Sequence, residues 1–336
     1  MKKTLIELMD GIQGRGILVI GDMVADIYLD GRISRISREA PVLVLEQAGE
    51  KIVAGGAANV VNNVATLGGK AFAVGIVGMD HSADGLEEIL SANGADTSGM
   101  FRDPSRPTIS KTRVIAGGRA TVSQQIVRID HESKEPLSPE FEERILEYLE
   151  KKLPKVEGIV LSDYGVGTIT ENIRKRLISY SREHGIPSIV DSRYDIRRFP
   201  GIGYVKQNDA ELAAAMETEL KNEEDLRRAG MALLRDLKAK GVLVTRGEEG
   251  MTLFEENGLI HDIPVSDRSE VYDVSGAGDT CVATVILALA AGADPAVAAR
   301  LSNYASGIAV RKLGTATVSS RELRKALMCQ GEGHAD

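Results

Sequence analysis

Short apolar runs that alternate with helical patterns constrain the fold of this chain more than any other feature. The run 16–22, Gly-Ile-Leu-Val-Ile-Gly-Asp, is apolar almost throughout and ends in an acid. Such a run is typical of a parallel strand that is buried on both faces. Similar runs lie at 71–77, 158–161, 188–190 and 242–244, and helical patterns lie at 57–67, 85–93, 171–184 and 223–240. This alternation predicts an α/β fold with a mainly parallel sheet flanked by helices.

The composition is that of a soluble globular protein, with 43% hydrophobic and 27% charged residues among 336. A net charge of -8 argues against nucleic-acid binding, which usually needs a basic face. Residues 1–15 lack the apolar core of a signal peptide, and the longest apolar run, 281–291, is too short to span a bilayer. We therefore expect a cytoplasmic protein without nucleic-acid or membrane partners. We expect one domain over 1–330 and a disordered tail at 331–336.

Two β-rich regions interrupt the alternation. Residues 40–46 are strand-like but follow no helix, and 108–116 and 121–130 are β-rich arms around Gly117-Gly118, which predicts a hairpin. We interpret segments of about 30–53 and 106–130 as a small β lid over the carboxyl edge of the sheet, where ligands bind in open α/β folds. An isolated lid would expose strand edges. Because pairing two lids across a two-fold axis would cover them, we expect a homodimer.

The segment 273–280, Asp-Val-Ser-Gly-Ala-Gly-Asp-Thr, leads into an apolar helical stretch. A helix N-terminus has free N–H groups and a positive dipole end, and glycines let an anion approach the backbone closely. The N–H groups of Gly276, Ala277, Gly278 and Asp279 are therefore candidate donors to a transferring phosphoryl group. The carboxylate of Asp279, beside them, is the candidate general base. A loop that only connects two elements is the alternative.

Two further loops carry groups suited to binding a polyol. Gly55 and Gly56 open the predicted helix at 57, and Asn59 can donate and accept hydrogen bonds. Close helix–strand packing, with Asn59 on the surface, is the alternative. Asp22 and Asp26 follow the first strand and are candidates to accept hydrogen bonds from sugar hydroxyls. A helix cap at Asp22 with a solvent-facing Asp26 is the alternative.

A nucleotide site is predicted by two loops later in the chain. Asn208 ends a strand and Glu211 lies one turn into the following helix, where its carboxylate could hold Mg²⁺ through water. The loop 245–250 could offer backbone and hydroxyl groups to phosphates. A capped helix start and a plain hairpin turn are the alternatives. The candidate nucleotide-binding residues are Asn208, Thr245, Gly247, Gly250 and Asn303.

Cationic side chains lie in the predicted lid. Lys111 and Arg113 are two residues apart and so share one strand face, and Arg128 lies in the next arm. These groups could clamp a phosphate that the substrate carries. Ordinary solvated charge on an edge strand is the alternative.

Taken together and in this order, segments 55–59, 208–211, 245–250 and 273–280 resemble the ribokinase-like (PfkB) sugar kinases. Four more segments, 34–42, 124–130, 161–164 and 312–315, look like the heptose 7-phosphate kinase branch of that family. The resemblance covers about 17–327. It implies a ribokinase-like fold and ATP-dependent phosphorylation of the anomeric hydroxyl of D-glycero-D-manno-heptose 7-phosphate, whose product serves ADP-heptose and lipopolysaccharide-core synthesis.

The resemblance also implies site residues and cofactors. ATP would act with Mg²⁺, anchored through water by Glu211, and a monovalent cation such as K⁺ would lie near Asp273. Asp163 and Arg193 would contact the substrate. The chain has Val166 where the branch is expected to carry lysine, and Arg193 would restore that charge.

Several alternatives remain at this point. The chain ends before the nucleotidyltransferase domain of the bifunctional relatives and lacks its His-x-Gly-His motif, so we expect kinase activity alone. A kinase of the same family could act on ribose, fructose, a fructose phosphate or a nucleoside instead. A non-catalytic sugar- or nucleotide-binding regulator is disfavoured because Asp279, Glu211 and the glycine loop are all retained. A nicotinamide oxidoreductase is disfavoured because no Gly-x-Gly-x-x-Gly follows the first strand.

Overall fold

The computed structural model describes residues 2–117, 123–266 and 271–329. The described strands are β1 (Gly16–Gly21), β2 (Met23–Ile36), β3 (Leu43–Gly56), β4 (Lys70–Val77), β5 (Asp96–Arg102), β6 (Ile109–Gly117), β7 (Gln124–His131), β8 (Gly158–Asp163), β9 (Ser188–Ser192), β10 (Tyr204–Asn208), β11 (Gly241–Thr245), β12 (Met251–Glu255) and β13 (Ile260–Ile263). The described α-helices are α1 (Lys2–Ile12), α2 (Ala57–Thr66), α3 (His81–Ala92), α4 (Pro139–Lys152), α5 (Glu171–His184), α6 (Asp209–Ala215), α7 (Glu223–Leu237), α8 (Ala277–Ala290), α9 (Pro295–Ala309) and α10 (Ser320–Cys329). The turn predicted at Gly118 and the tail 331–336 lie outside the described residues.

A nine-stranded sheet in the order β13-β12-β11-β10-β9-β8-β1-β4-β5 forms the centre of the molecule. All its neighbouring strands pair in parallel except at one edge, where β12 pairs antiparallel with both β11 and β13. Ile17 and Val19 pack with α2, α8 and α9, whereas Leu18 and Ile20 pack with α4, α5 and α7. Helices thus cover both faces, which explains why every residue of β1 is buried. The α/β prediction is confirmed. No helix in the described part of the chain is long and apolar enough to cross a membrane.

A separate four-stranded sheet in the order β3-β2-β6-β7 forms the lid. β2 begins at Met23, immediately after the core strand β1, and pairs along its whole length with β3. β6 and β7 are the two arms of the predicted hairpin and pair antiparallel. The lid therefore contains more of the chain than the predicted segments 30–53 and 106–130, because β2 and β3 reach down to the core.

The two faces of the lid differ in chemistry. The strand register places Asp26, Lys111 and Asp130 side by side, and the alternation of a strand puts Arg113 and Arg128 on the same face. On β7 the opposite face carries Val127 and Ile129, which are largely exposed. The charged face of the lid is the one that contacts residues of the candidate active site.

Candidate active site

A cleft of about 950 Å³ lies at the carboxyl edge of the main sheet. The ends of β8 to β11 and the loop before α8 form it, so side chains that are far apart in sequence meet there. The predicted site residues that line it are Asp163, Arg193, Asn208, Glu211, Thr245, Gly247, Gly250, Gly276, Ala277, Gly278, Asp279 and Asn303. Asp191, Lys206 and Tyr164 also line it; none of them was a predicted site residue, although Tyr164 lies in segment 161–164, which carries the family resemblance.

The segment 273–280, predicted to bind an anion and called the anion loop below, contains the N-terminus of helix α8. Gly276 precedes α8 in a left-handed conformation, with φ of 79°, and no side chain caps the helix. The amide of Ala277 donates to the carbonyl of Val274 at 3.2 Å, so its predicted role as an anion donor is not available in this conformation. The amides of Gly276, Gly278 and Asp279 have no hydrogen-bond partner among the described residues. The first turn therefore offers three free donors at the cleft.

Asp279 is a buried carboxylate, 6% exposed, in that first turn. Asn59 donates to its Oδ2 at 2.8 Å, and the hydroxyl of Tyr164 donates to its Oδ1 at 3.2 Å. Burial and, to a lesser extent, the nearby charge of Asp191 raise the pKa of Asp279, whereas the hydrogen bonds and Lys206 oppose the shift; together they bring the pKa to about 6. A carboxylate with a pKa near neutrality is well matched to accepting a proton.

Asn59 lies on α2 and is 1% exposed, so the alternative that placed it on the surface is wrong. Asn63 donates to the Oδ1 of Asn59 at 3.2 Å, which orients the amide of Asn59 with its Nδ2 toward Asp279. A Cβ on Gly276 would lie 2.7 Å from that Nδ2. The glycine is therefore required for the close approach of α2 and the anion loop.

A buried ion cluster lies under the anion loop. The ammonium of Lys206 is 3.0 Å from Asp191 Oδ2 and 3.9 Å from Glu211 Oε2. Burial disfavours the ammonium, but these carboxylates raise the pKa of Lys206 above its usual value. A Cβ on Gly278 would lie 2.9 Å from Lys206 Nζ, so the charge rests directly against the loop.

Glu211 takes part in the capped helix start that was the alternative interpretation. Its amide donates to Asn208 Oδ1 at 2.7 Å, and its Oε2 accepts from the Asn208 amide at 2.8 Å. Glu211 nevertheless lines the cleft, and its Oε1 has no hydrogen-bond donor among the described residues. Burial raises the pKa of Glu211, and Lys206 opposes that shift.

The predicted nucleotide loop, residues 245–250, also lines the cleft. Gly247 and Gly250 have φ of 56° and 89°, and a Cβ on Gly250 would lie 2.1 Å from the carbonyl of Ile263. Thr245 ends β11, and its hydroxyl donates to the carbonyl of Gln207 at 3.4 Å. Asn303 donates to the carbonyl of Pro264 at 2.7 Å and so supports the wall of the cleft.

Asp22 and Asp26 occupy positions that their sequence context did not predict. Asp22 is fully buried outside the cleft lining, and its carboxylate accepts from the amides of Tyr164, Val166 and Thr168. Burial raises its pKa. It braces the loop after β8, which argues against its predicted contact with the sugar, and it does not cap a helix.

Asp26 is also buried, so the solvent-facing alternative is wrong. It accepts from Arg113 at 2.6 Å and from the hydroxyl of Thr315 at 2.9 Å. Gly55 must lack a side chain because a Cβ there would lie 2.5 Å from Asp26 Oδ2. Gly56, with φ of 54°, packs against Val24. Both glycines therefore serve the close packing that was the alternative to ligand binding.

Asp273 ties two loops together. Its carboxylate accepts from the amide of Ser275 at 2.9 Å and from the amide of Gly314 at 2.9 Å. Burial opposes its ionisation, but these hydrogen bonds lower its pKa. The turn at 312–315 is thereby held against both the anion loop and, through Thr315, the lid.

The four predicted cations fall into two classes. Arg113 pairs with Asp26, and Arg128 forms two hydrogen bonds to Asp130, each of 2.7 Å. Lys111 and Arg193 have no carboxylate within salt-bridge distance in the described part of the chain. They lie over the ring of Tyr164, at 5.5 and 4.9 Å from its centroid.

Asp163 holds the loop that presents Arg193. Its carboxylate accepts from the amide of Gly165 at 3.0 Å and from the hydroxyl of Ser192 at 2.8 Å. Its carbonyl accepts from the amide of Arg193 at 3.1 Å. The ends of β8 and β9 are thus joined, with Tyr164 and Arg193 on adjacent loops.

Known proteins are similar to this chain in sequence over nearly its whole length. The bifunctional protein HldE of Geobacter metallireducens is 43% identical over 323 residues, covering 96% of this chain and 65% of the relative. The bifunctional protein HldE of Geotalea uraniireducens is 41% identical over 320 residues, covering 95% and 64%. The chain therefore spans slightly less than two thirds of the length of these relatives.

The fold is shared with solved structures at lower identity. Arabidopsis thaliana ribokinase, complexed with ribose and ATP, matches with a TM-score of 0.73 at 19% identity over 94% of this chain and 99% of that one. Phosphofructokinase-2 from Escherichia coli, in complex with substrates and products, matches with a TM-score of 0.74 at 21% identity over 95% and 100%. The model of the pfkB family carbohydrate kinases matches residues 15–322. The chain therefore belongs to the pfkB family of carbohydrate kinases.

Proposed function

We propose that this protein is an ATP-dependent kinase that phosphorylates the anomeric hydroxyl of D-glycero-D-manno-heptose 7-phosphate, giving the 1,7-bisphosphate used for ADP-heptose and lipopolysaccharide-core synthesis. Its similarity to bifunctional HldE proteins over 95% of the chain supports this substrate. The observation that carries the proposal is the grouping of a buried base, Asp279, and two cations without a salt-bridge partner in the described part of the chain, Lys111 and Arg193, around one aromatic ring. Such a site suits an acceptor with a hydroxyl at one end and a phosphate at the other.

The proposed phosphoryl transfer would use a carboxylate, backbone amides and an ammonium group that line the cleft. Asp279 would accept the proton of the attacking hydroxyl, because it lies in the helix turn that offers donors to the transferring group. The free amides of Gly276 and Gly278, with the positive end of α8, would stabilise charge on the phosphoryl oxygens. The ammonium of Lys206 beneath Gly278 adds a fixed positive charge to the same place.

The cleft fits a magnesium-bound nucleotide. Its volume lies within the range typical of ligand sites, and Glu211 lines it with one free carboxylate oxygen. Asn208, Thr245, Gly247, Gly250 and Asn303 also line the cleft and would hold the nucleotide. When bound, Mg²⁺ neutralises phosphate charge, and Glu211 would anchor it through water. No group of three or more metal-ligating side chains occurs among the described residues, and a nucleotide-bound Mg²⁺ needs only one or two protein carboxylates.

A monovalent cation is proposed beside Asp273, with carbonyls near Ser275 and Gly314 as ligands. The phosphofructokinase-2 from Escherichia coli has been solved in complex with potassium. Measuring kcat in potassium and in tetramethylammonium buffers tests this proposal. Equal rates in the two buffers would remove it.

The phosphate of the acceptor is assigned to Lys111 and Arg193. Burial and the adjacent charge of Arg193 lower the pKa of Lys111, as expected for two cations without a shared anion. Arg113 and Arg128 already have carboxylate partners, so an anion would have to compete for them. A phosphate between Lys111 and Arg193 would relieve their repulsion.

An acceptor panel tests the proposal. The purified protein with ATP and Mg²⁺ is offered heptose 7-phosphate, the phosphate-free heptose, fructose 6-phosphate, fructose, ribose and a nucleoside. We expect turnover to be fastest with heptose 7-phosphate, and ³¹P NMR to show a new anomeric phosphate. Faster turnover of another sugar would identify a different kinase of the family. ATP binding with no sugar-dependent turnover would indicate a non-catalytic regulator.

We further propose that residues 1–330 form a single kinase domain that acts in the cytoplasm as a homodimer joined through its lids. The cysteines Cys281 and Cys329 are both free thiols, which suits a reducing compartment.

A further inference from the structure

Tyr164 lies between the proposed base and the proposed phosphate-binding cations. It follows β8 directly, and its hydroxyl is 3.2 Å from Asp279 Oδ1. Its ring lies under Lys111 on the lid and Arg193 on the loop after β9. One side chain thus contacts groups from three parts of the fold at the point where the acceptor must bind.

The backbone of Tyr164 is fixed more firmly than that of an ordinary loop. Its amide donates to the buried carboxylate of Asp22 at 2.9 Å, and the amides of Val166 and Thr168 donate to the same carboxylate. On the other side, Asp163 is joined to Ser192. A phenol on so rigid a support can hold a partner in one orientation.

The hydroxyl acts as a donor. Burial raises the pKa of Tyr164 well above its usual value, and the charge of Asp279 raises it further, so the phenol keeps its proton. An ionised carboxylate only accepts hydrogen bonds. Asp279 therefore receives one hydrogen bond on each oxygen, from Asn59 and from Tyr164. Together these two bonds fix the orientation of its carboxylate group.

We propose that Tyr164 is a positioning residue that orients the Asp279 carboxylate as a base and sets its distance from the anion-binding pair Lys111 and Arg193. This inference rests on the proposed function for the identity of the acceptor, but the contact with Asp279 does not depend on it. The ring of Tyr164 would hold Lys111 and Arg193 near one end of the acceptor. The hydroxyl of Tyr164 would hold Asp279 near the other end. The site would therefore select acceptors by the distance between their phosphate and their reacting hydroxyl.

The test separates the hydroxyl from the ring. Tyr164→Phe keeps the ring and removes one donor to Asp279. We expect kcat to fall about 10-fold, which corresponds to the loss of a hydrogen bond to a charged group, with KM for the acceptor within about twofold of wild type. Tyr164→Leu also removes the ring, so KM for heptose 7-phosphate should rise as well, while KM for ATP stays unchanged. Tyr194→Phe, which removes an exposed phenol three residues from Asp191 but outside the cleft lining, is the matched control.

A second readout does not need an acceptor. The pKa of the Asp279 carboxyl is measured by ¹³C NMR in wild type and Tyr164→Phe. The charged or titratable groups that face it are Tyr164 itself, Asp191 on β9 and Lys206 on β10, and only Tyr164 is changed. Losing a hydrogen bond to the ionised form must raise the pKa of Asp279, and the acidic limb of the pH–rate profile should move to higher pH with it.

The two readouts distinguish the possible failures. If heptose 7-phosphate is not a substrate but the pKa of Asp279 rises in Tyr164→Phe, the proposed acceptor is wrong and the positioning role stands. An unchanged pKa in a Tyr164→Phe protein that melts like wild type would overturn the positioning role, even if heptose 7-phosphate is turned over. If Tyr164→Phe is poorly folded, Tyr164→Leu is titrated instead, and the same criterion applies.

Discussion

At the scale of single residues, the strongest prediction concerns Asp279. Asp279→Asn keeps the shape of the side chain but cannot accept the proton. We expect kcat to fall by about 10²–10⁴, as for the loss of a general base, with ATP affinity within about twofold of wild type. Steady-state kinetics and calorimetric ATP titration measure the two quantities. Asp294→Asn is the control, because Asn replaces Asp well at the helix N-cap that Asp294 forms. Near-normal turnover of Asp279→Asn would exclude the assignment.

The pH dependence of the reaction follows from the same carboxylate. Because burial raises the pKa of Asp279 to about 6, the base is protonated below that pH and ionised above it. We expect kcat to fall about tenfold per pH unit well below pH 6 and to reach a plateau above it. A phosphate monoester also titrates near 6, so the profile is measured at saturating acceptor and repeated with phosphate-free heptose. An acidic limb near pH 4 with both acceptors would show that another group controls the rate.

Lys111 and Arg193, the proposed phosphate-binding cations, provide a prediction on acceptor specificity. Lys111→Ala and Arg193→Ala should each raise KM for heptose 7-phosphate by roughly 10-fold or more, since each removes a charge-assisted contact with the phosphate. The phosphate-free heptose should be affected much less. Arg128→Ala is the matched control, because that guanidinium is already paired with Asp130 on the same lid face. Equal effects of all three variants would move the phosphate site elsewhere on the lid.

At the scale of elements, the start of α8 depends on glycine. Gly276→Ala would place a methyl group 2.7 Å from Asn59 Nδ2, the donor that orients Asp279. We expect kcat to fall by at least about 10-fold, besides a loss of about 1 kcal/mol of stability from the left-handed backbone. Gly292→Ala, just past the end of the same helix, has φ of 84° and nothing within 4 Å of its Cβ. It should lose similar stability with unchanged kcat. Parallel melting curves and kinetics compare the pair.

The same elements show what the sequence could and could not predict. Buried strands such as β1 and the glycine-rich start of α8 are local patterns, so they were predicted close to their observed bounds. Asp191 and Lys206 are single residues near strand ends without a predicted role, and Tyr164 belongs to segment 161–164, which carried the family resemblance but no role for the phenol. Their roles arise only when parallel strands bring their carboxyl ends together, as in the contact between Tyr164 and Asp279, 115 residues apart.

Asp22 and Asp26, the acids that follow β1, show a second reason why the sequence alone could not predict the site. An acid at the end of a buried strand can bind a ligand, cap a helix or brace a loop, and its local sequence is the same in each case. Asp22 accepts from three amides that lie more than 140 residues away, and Asp26 accepts from Thr315, 289 residues away. Only the long-range packing decides between the uses.

At the scale of the whole molecule, hydrogen bonds connect the lid to the predicted anion loop. Asp26 on β2 accepts from Arg113 in the lid and from Thr315, and the neighbouring Gly314 donates to Asp273, which also holds Ser275. We therefore expect a movement of the lid to be transmitted to the start of α8 through the carboxylates of Asp26 and Asp273. The acceptor would bind between these parts, so support of the lid from outside should affect acceptor binding more than ATP binding.

A dimer through the lids would provide that support. On β7, an edge strand, Val127 and Ile129 are 46% and 56% exposed on the face opposite the charged one, and Ile36, at the tip of the lid, is 66% exposed. Covering such apolar side chains and the open edge favours pairing with a second copy. We expect light scattering at micromolar concentration to give twice the 36.0 kDa of the chain.

Val127→Asp combined with Ile129→Asp should then yield a monomer with a higher KM for the acceptor and unchanged ATP affinity. Leu259→Asp is the control, because Leu259 is similarly exposed, at 54%, in the turn between β12 and β13, on the main sheet. It should remain dimeric with normal kinetics. A wild-type protein of monomer mass would contradict the lid dimer. A monomeric double variant with wild-type KM would show that the lid keeps its position without a partner.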